Sequence, residues 1–348
     1  MKKIKEIIFR IKKTPVIIIS GEGRKCTAEA IKTMLRPYFS IGKDVIIFEK
    51  DFQEKEDVEK AKFLILHSKK PILIGTHVGE IPPERLFFAG ERRKVSGFEE
   101  LVKILPSKGE IILNFDDETV RELENKTVQR NFSFGFQERS DLKATDINIT
   151  REGTNFKVNF EENTVPFWLN RIFGKEQIYS ALAGILTGEL LGLNLVEMSQ
   201  SLKNYRSLPG KMRLISGRYM SEILDDSENA TVPSMIEALK ILKSFKGKKI
   251  AVLGDILGIG KYTIEAHQSI GETVAKSCDV LITVGPRAKF IAEGAKAHNI
   301  EEVISFDRVE DAAKNIREFV KERNIVLVDG SKEINMGLIV KEIKEGAN

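Results

Sequence analysis

An unbroken apolar run at 16–19, VIII, ends in the polar turn Ser20-Gly21-Glu22-Gly23-Arg24-Lys25, and from 27 to 35 apolar residues recur at three- and four-residue spacing. A short apolar run, a turn and then a 3.6-residue period predict strand, turn and helix. The same alternation predicts a strand at 45–48, a charged helix at 54–66, and a strand at 72–74 leading into Thr76-His77, with Pro82-Pro83 breaking the segment beyond it. A helix at 97–105 then precedes a strand at 110–113 that ends in the turn Asn114-Phe115-Asp116-Asp117. Strands alternating with helices in this way predict a mostly parallel, doubly wound sheet.

From about 131 to 170 the period drops to two, as at 155–160, which predicts short antiparallel strands, and 175–192 reads as a helix rich in Ala and Leu. Ser207-Leu208-Pro209-Gly210 breaks the periodicity on both sides and is the expected hinge. Beyond it, strands at 221–225, 249–253, 279–284, 302–305 and 325–328 interleave with helices at 232–243, 262–277, 287–297, 308–323 and 335–344. That pattern predicts a second, Rossmann-like α/β domain. No internal repeat or low-complexity tract interrupts it.

A length of 348 residues exceeds what one hydrophobic core usually supports, which agrees with two or three domains. Lys+Arg 55 against Asp+Glu 51 leaves a net charge of +4 spread along the chain, so nucleic acid is not the expected partner. Cys26 and Cys278 lack metal-ligand spacing and suggest neither a disulfide framework nor a zinc site, so a reducing, cytoplasmic setting is expected. No apolar run approaches the ~20 residues of a membrane span. Residues 1–13 are basic, with Ile4, Ile7, Ile8 and Ile11 at helical spacing but no signal-peptide core. They read as an amphipathic starting helix, covering a domain edge or touching a membrane surface.

Three segments carry candidate chemistry. Gly21 and Lys25 are spaced as in a phosphate-wrapping loop, where glycines let backbone N–H groups point inward at a helix N-terminus and a lysine supplies charge. A Walker loop, however, has glycine where Arg24 stands and a magnesium-binding Ser or Thr where Cys26 stands, which leaves Thr27 as a shifted ligand. On its own GEGRKCT reads more simply as a plain strand-turn-helix connection. Asp225-Asp226 ends a strand, where carboxylates either face a ligand crevice, binding an amine or a ribose, or cap the next helix. Asp255 follows the strand KIAVL and His267 lies on the next helix; a lone histidine of this kind is more often structural than catalytic.

Taken together, the ordered runs ILDDSENATVPSMIEALKIL, KIAVLGDILGIG, EAHQSIG, DVLITVG and IVLVDGS with Met336 resemble the C-terminal domain of the Mur ligase family, above all its D-alanyl-D-alanine-adding type. ISGEGRKCTAEAI is similar to the family's ATP loop, Glu49 stands where it has a magnesium-binding glutamate, and ILNFDDETVREL, with Asn114 and Asp116, resembles its late central-domain motif. The helix opening at Gly174-Lys175-Glu176-Gln177 stands where the family has a His-Asn pair contacting adenine. The resemblance therefore implies a shortened P-loop-like central domain at 1–208 and a Rossmann-like C-terminal domain at 209–348, without the family's N-terminal UDP-binding domain.

Several positions depart from the family pattern. Only 24 positions separate Lys25 from Glu49, too few for the usual intervening segment, and Pro82-Pro83 replace a metal-binding histidine. The carbamylated lysine aligns with Phe98, with Lys94 one helical turn away; Lys211 replaces an arginine and Asp329 a lysine.

The resemblance implies an ATP- and Mg2+-dependent amide ligase of peptidoglycan-precursor synthesis, which phosphorylates a carboxylate and lets an amine attack the acyl phosphate. Lys25, Gly21, Gly23 and Thr27 would hold the phosphates, Glu49 and Thr27 the magnesium, and Lys211 and Arg213 would reach over from the second domain. Asp225, Asp226, Asn229 and Asp255 would shape the substrate crevice and His267 would support its wall, with closure at the hinge excluding water. The implied substrate is a small molecule or peptide such as a UDP-sugar peptide, and a separate protein would supply the missing domain. The alternative is a non-catalytic relative that kept the fold and lost ATP turnover. A dehydrogenase is disfavoured because no G-x-G-x-x-G opens a helix in the second domain.

Overall fold

Strand β1 (Val16–Ser20) is buried at every position, the mark of a central strand covered on both faces. In the computed structural model, residues 7, 9–77, 96–228 and 230–346 are described. The expectations for Ile4, Ile8, Pro82, Pro83, Lys94 and Asn229 lie outside them. Beside β1 run β2 (Ile46–Glu49), β3 (Pro71–Gly75), β4 (Glu110–Asn114) and β5 (Arg130–Gly135), followed by β6 (Leu142–Thr150), β7 (Gly153–Phe160) and β8 (Asn163–Asn170). The sheet order is β2-β1-β3-β4-β5-β6-β7-β8.

Alternate residues of β1 serve opposite faces. Ile17 and Ile19 pack with Ile31 and Met34 of helix α1 (Arg24–Leu35), while Val16 and Ile18 pack with Ile65 of α2 (Lys55–His67). Phe98 and Leu101 of α3 (Ser96–Lys103) join the second layer. Phe98, where the family's modified lysine was expected, is thus a core residue, 2% exposed. Next come the short α4 (Glu118–Arg121) and the long α5 (Lys175–Leu190), which presses Gly184 against Met34 of α1. A methyl group at Gly184 would lie 2.1 Å from Met34 Cε, so the methionine tip occupies the space that the glycine leaves open.

The expectation of antiparallel strands from 131 onward needs one correction. β5 pairs with β4 in parallel over five residues, and only β6, β7 and β8 form an antiparallel meander. A period of two reports that one face is covered; it carries no information on the direction of the neighbouring strand. Helix α6 (Leu195–Leu202), held by an Asn194–Glu197 capping box, was not anticipated either.

The second sheet has the order β13-β12-β11-β14-β10-β9. Its strands are β9 (Arg213–Ser216), β10 (Glu222–Asp226), β11 (Lys249–Gly254), β12 (Val280–Val284), β13 (Glu302–Phe306) and β14 (Ile325–Asp329), parallel except for the edge strand β9. Helices α7 (Val232–Ser244), α8 (Thr263–Ser277) and α9 (Lys289–Ala297) cover one face. Helices α10 (Val309–Phe319) and α11 (Gly337–Ile343) cover the other. No helix among the described residues is long and apolar enough to cross a membrane.

The two sheets are stitched together by backbone. Phe173 N–H donates to Met212 O at 3.0 Å and Leu214 N–H to Arg171 O at 2.8 Å. The segment expected as the hinge carries hydrogen bonds of its own: Ser207 Oγ donates to Lys211 O and Gly210 N–H to Asp225 Oδ2, at 2.5 and 3.0 Å.

Candidate functional site

The turn after β1 is shaped by two glycines with φ of 110° (Gly21) and 74° (Gly23), values that side-chain-bearing residues rarely adopt. It leans on the end of β3, where Thr76 Oγ1 lies 2.9 Å from Ser20 O and 2.6 Å from Glu22 O, and Glu22 N–H donates to His77 O at 2.5 Å. Helix α1 follows with no side-chain cap on Gly23 and no acidic residue in its first turn. Its first amides and positive dipole end are therefore unpaired by side chains, the arrangement that accepts an anion. Lys25 stands exposed beside them.

The other loop residues face elsewhere. Arg24 Nη1 donates to Gly21 O at 3.2 Å, and the guanidinium lies 3.5 Å from Glu49 and 3.6 Å from Asp51. Thr27 is buried, its Oγ1 donating to Ser180 Oγ at 3.2 Å in the contact between α1 and α5. Cys26 is buried beneath Gln177, whose Nε2 lies 3.7 Å from its Sγ, and burial pushes its thiol pKa up. The two expected magnesium ligands thus do not come together: Glu49 already faces a cation, and Thr27 points into a helix interface. No group of three or more His, Cys, Asp or Glu among the described residues could hold a metal ion. Among the described residues, those expected at this place do not fit a magnesium site.

The end of β4 builds a polar wall beside the loop. Asn114 is buried and accepts from Asp116 N–H at 3.0 Å, while its Nδ2 has no partner. Asp116 Oδ2 accepts from Phe136 N–H at 2.7 Å and from Tyr179 Oη of α5 at 3.0 Å. Burial first, and then the Asp116 charge, push the Tyr179 phenol far up. Asp117 caps α4 by accepting from Val120 N–H at 2.9 Å and pairs with His77 Nδ1 at 2.8 Å. Burial alone would lower the His77 pKa, but the Asp117 hydrogen bond and charge, with Glu176 and Glu22, outweigh it and raise it. Glu22, His77, Asp116 and Tyr179 line a solvent-open crevice together with Ser234 and Glu237 of α7. Sequence reasoning missed His77, Asp117 and Tyr179 as site residues. Thr76-His77 at the end of a predicted strand was a usable signal; Tyr179 had none.

From the second sheet, Asp226 is fully buried and accepts from Met212 N–H at 3.1 Å. Asp225 is committed to its surroundings: it accepts from Gly210 N–H, Arg213 Nε and Ser227 Oγ at 3.0, 3.1 and 2.7 Å. Arg213 is therefore held within its own sheet by the carboxylate opposite it. Lys211 Nζ donates to Glu228 O at 2.8 Å, and its charge acts on both Cys26 and Asp226, so it stands between the loop and β10.

Two further expectations are corrected. Asp255 does not line the crevice: its Oδ1 accepts from Arg287 and Ala288 N–H at 2.9 and 2.7 Å, fixing the start of α9. His267 is wholly buried, with Nε2 accepting from Ile256 N–H at 3.1 Å and Nδ1 donating to Thr263 O at 2.6 Å. Both nitrogens are spent on holding the loop after β11, so this histidine is structural. Burial lowers its pKa. A lowered folded value means that its contribution is complete above the unfolded pKa of about 6.5 and is lost as pH falls through the folded value. The stability gap between wild type and His267→Gln in urea titrations is therefore expected to narrow from pH 7.5 to pH 5. A constant gap would contradict a neutral His267. The raised His77 has the opposite sign, contributing below its unfolded value and losing that contribution as pH rises.

Comparison with known proteins bears on this geometry. A model of the Mur ligase middle domain matches residues 93–188, and one of the Mur ligase glutamate ligase domain matches residues 210–332. The UDP-N-acetylmuramoyl-tripeptide–D-alanyl-D-alanine ligase of Bacillus subtilis is 26% identical over 275 residues, covering 78% of this chain and 58% of that protein. The Escherichia coli protein of the same name is 28% identical over 211 residues, covering 59% and 45%. The chain spans about half the length of these curated relatives. Among solved structures, MurF from Acinetobacter baumannii superposes with a TM-score of 0.77 at 20% identity, covering 95% of this chain and 77% of that one. MurF from Thermotoga maritima in complex with ADP gives 0.73 at 18% identity, covering 97% and 82%. At these identities the structural likeness speaks for the fold.

Proposed function

We propose, from the premise that the chain belongs to the Mur ligase family and carries its middle and glutamate ligase domains, that it joins a carboxylate to an amine at the expense of ATP. The setting is synthesis of a peptidoglycan precursor, with a UDP-sugar peptide as the carboxylate substrate. A cytoplasmic location fits the two free thiols, Cys26 and Cys278. The working division is 1–208 for nucleotide and 209–348 for the amine.

One observation carries this reading. Lys211 acts both on Cys26, at the start of α1 behind the β1 loop, and on Asp226 at the carboxyl end of β10, and Glu22 of the loop shares a crevice with α7 of the second sheet. Carboxyl ends of parallel strands are where open α/β sheets bind ligands. In the reaction the substrate carboxylate oxygen takes the γ-phosphoryl group, ADP leaves, the amine attacks the acyl carbon, and phosphate departs as the amide forms. Lys25 and the uncapped start of α1 hold negative charge on the phosphates. Lys211 screens the same charge from the second sheet. No step is assigned to a metal.

A second reading, a non-catalytic relative that binds or scaffolds, is favoured by the Arg24 guanidinium standing against Glu49. Calorimetric titration with ATP, with and without Mg2+, separates the two. The ligase reading expects micromolar affinity and at least tenfold weakening in Lys25→Ala, about 1.4 kcal/mol. Absence of binding at millimolar ATP ends the ligase reading and leaves the other.

A further inference from the structure

At the carboxyl edge of the second sheet, Asp226 and Asp329 stand side by side. They are register partners on the parallel strands β10 and β14, so their side chains leave the same face of the sheet from backbones about 5 Å apart. They are 2% and 0% exposed. Asp226 receives one backbone N–H, whereas neither oxygen of Asp329 accepts a hydrogen bond of normal geometry. Two carboxylates so close and so dry cannot both remain ionised without a cation, because each loses its hydration and adds to the other's repulsion.

The surrounding charges do not supply that cation. Asp226 is acted on by Glu176, Lys211 and Asp225, and Asp329 by Asp226 and Lys211. Burial is the largest influence on both carboxyls and raises them; Lys211, with the Met212 amide at Asp226 and the Gly330 amide at Asp329, acts in the opposite direction. The Lys211 ammonium is itself turned outward onto Glu228 O. Asp226 nevertheless lines a narrow crevice between the sheets, which it shares with Lys211, Glu176, Gln177, Ser234 and Glu237.

We propose that the Asp226–Asp329 pair is a cation-accepting site for the organic ammonium group of the amine to be ligated, with Asp226 making the contact and Asp329 supplying the second negative charge behind it. The assignment of that amine as a substrate rests on the ligase reading; the binding itself needs no nucleotide. A carboxylate or phosphate at this point would meet the negative charge of the buried pair and be rejected. The amine class selected is therefore one that presents its positive charge here with no carboxylate beside it, such as an α-amide or a basic side chain. In the free protein the pair retains a proton, and an arriving ammonium displaces it.

The test uses the whole chain and alaninamide, which has an ammonium group and no carboxylate, against uncharged N-acetylalaninamide, by calorimetry at pH 7.5 in two buffers of different ionisation heat. Alaninamide is expected to bind at least tenfold tighter than its acetylated form, with about one proton released. Asp329→Asn should weaken it at least tenfold and suppress most of the proton release. The same substitution removes a buried, unpartnered charge, so its Tm should equal or exceed that of wild type by a few degrees. If it fails to fold, Asp329→Ser replaces it in the titration. Equal affinity for the two probes, affinity unchanged in the variant, or Asp329-dependent binding of MgCl2 in place of alaninamide each overturns the proposal. ATP titrations on the same samples keep the two questions apart: alaninamide binding without ATP binding removes the ligase reading alone, and the converse removes this site alone.

Discussion

Asp225→Ala is expected to lower stability by about 3–5 kcal/mol, enough to unfold much of the second sheet at room temperature. The carboxylate is 1% exposed and serves the Gly210 amide, the Arg213 guanidinium and the Ser227 hydroxyl together. Alanine removes the common acceptor and leaves the Gly210 amide and the Ser227 hydroxyl buried without it, and the half-buried Arg213 guanidinium without its counter-charge. Asp225→Asn keeps the shape and part of the accepting capacity and should lose less. Urea titrations followed by circular dichroism measure both. Because Gly210 and Arg213 flank the junction between the sheets, Asp225→Ala should also loosen protection of the 207–214 amides in hydrogen exchange. A loss below about 1 kcal/mol would mean that the connection relaxes without this hub. Arg213→Met combined with Asp225→Ala should cost less than the two single losses added, since each removes the other's unpaired partner.

The second large effect is expected at Gly21. A methyl group there would lie 2.4 Å from Thr76 Oγ1, 2.5 Å from His77 O and 2.8 Å from His77 N, and the backbone φ of 110° is itself unfavourable for any L side chain. Two of these three neighbours are main chain that continues from β3, so neither can swing aside. Strain and overlap together place the cost of Gly21→Ala at about 2–5 kcal/mol. Relief requires the loop to move off Thr76, which disorders the amides at the start of α1, so nucleotide affinity should fall below detection. Gly23→Ala is the control. Its φ of 74° is near the left-handed region and nothing lies within 4 Å, so a cost near 1 kcal/mol with measurable ATP binding is expected. If both variants bind ATP as wild type does, the turn is not the phosphate site.

The same loop shows why an imperfect motif is hard to weigh from its letters. Reading GEGRKCT, Arg24 and Cys26 count only as departures from a pattern and Thr27 as a substitute ligand. In the fold Arg24 faces Glu49 across the top of the sheet, Cys26 lies under Gln177, and Thr27 meets Ser180. Each partner comes from a distant element, and one-letter spacing holds no term for it. His267 teaches the reverse: a lone histidine is usually structural, and its two backbone partners, Ile256 and Thr263, make it so here. The family resemblance had moved it toward the site.

Sequence alone was sufficient for the succession of elements. Periods of two and 3.6, the glycine turns and the apolar runs mark the parallel strands of the second sheet and most helices to within a few residues, though not its antiparallel edge strand β9, because burial of alternate positions is a local requirement that each segment must meet by itself. The resemblance to the Mur ligases was equally legible, since ordered motifs survive in the chain as written. Only the tertiary structure decided which side chains face one another. It set the parallel sense of β5, the commitment of Asp225 and Asp255 to backbone amides, the His77–Asp117 pair at the crevice and the unpartnered Asp329 beside Asp226. Hydrogen bonds and charges act over a few ångströms between residues far apart along the chain, so their pairing, and with it the chemistry of the site, exists only once the sheets have formed.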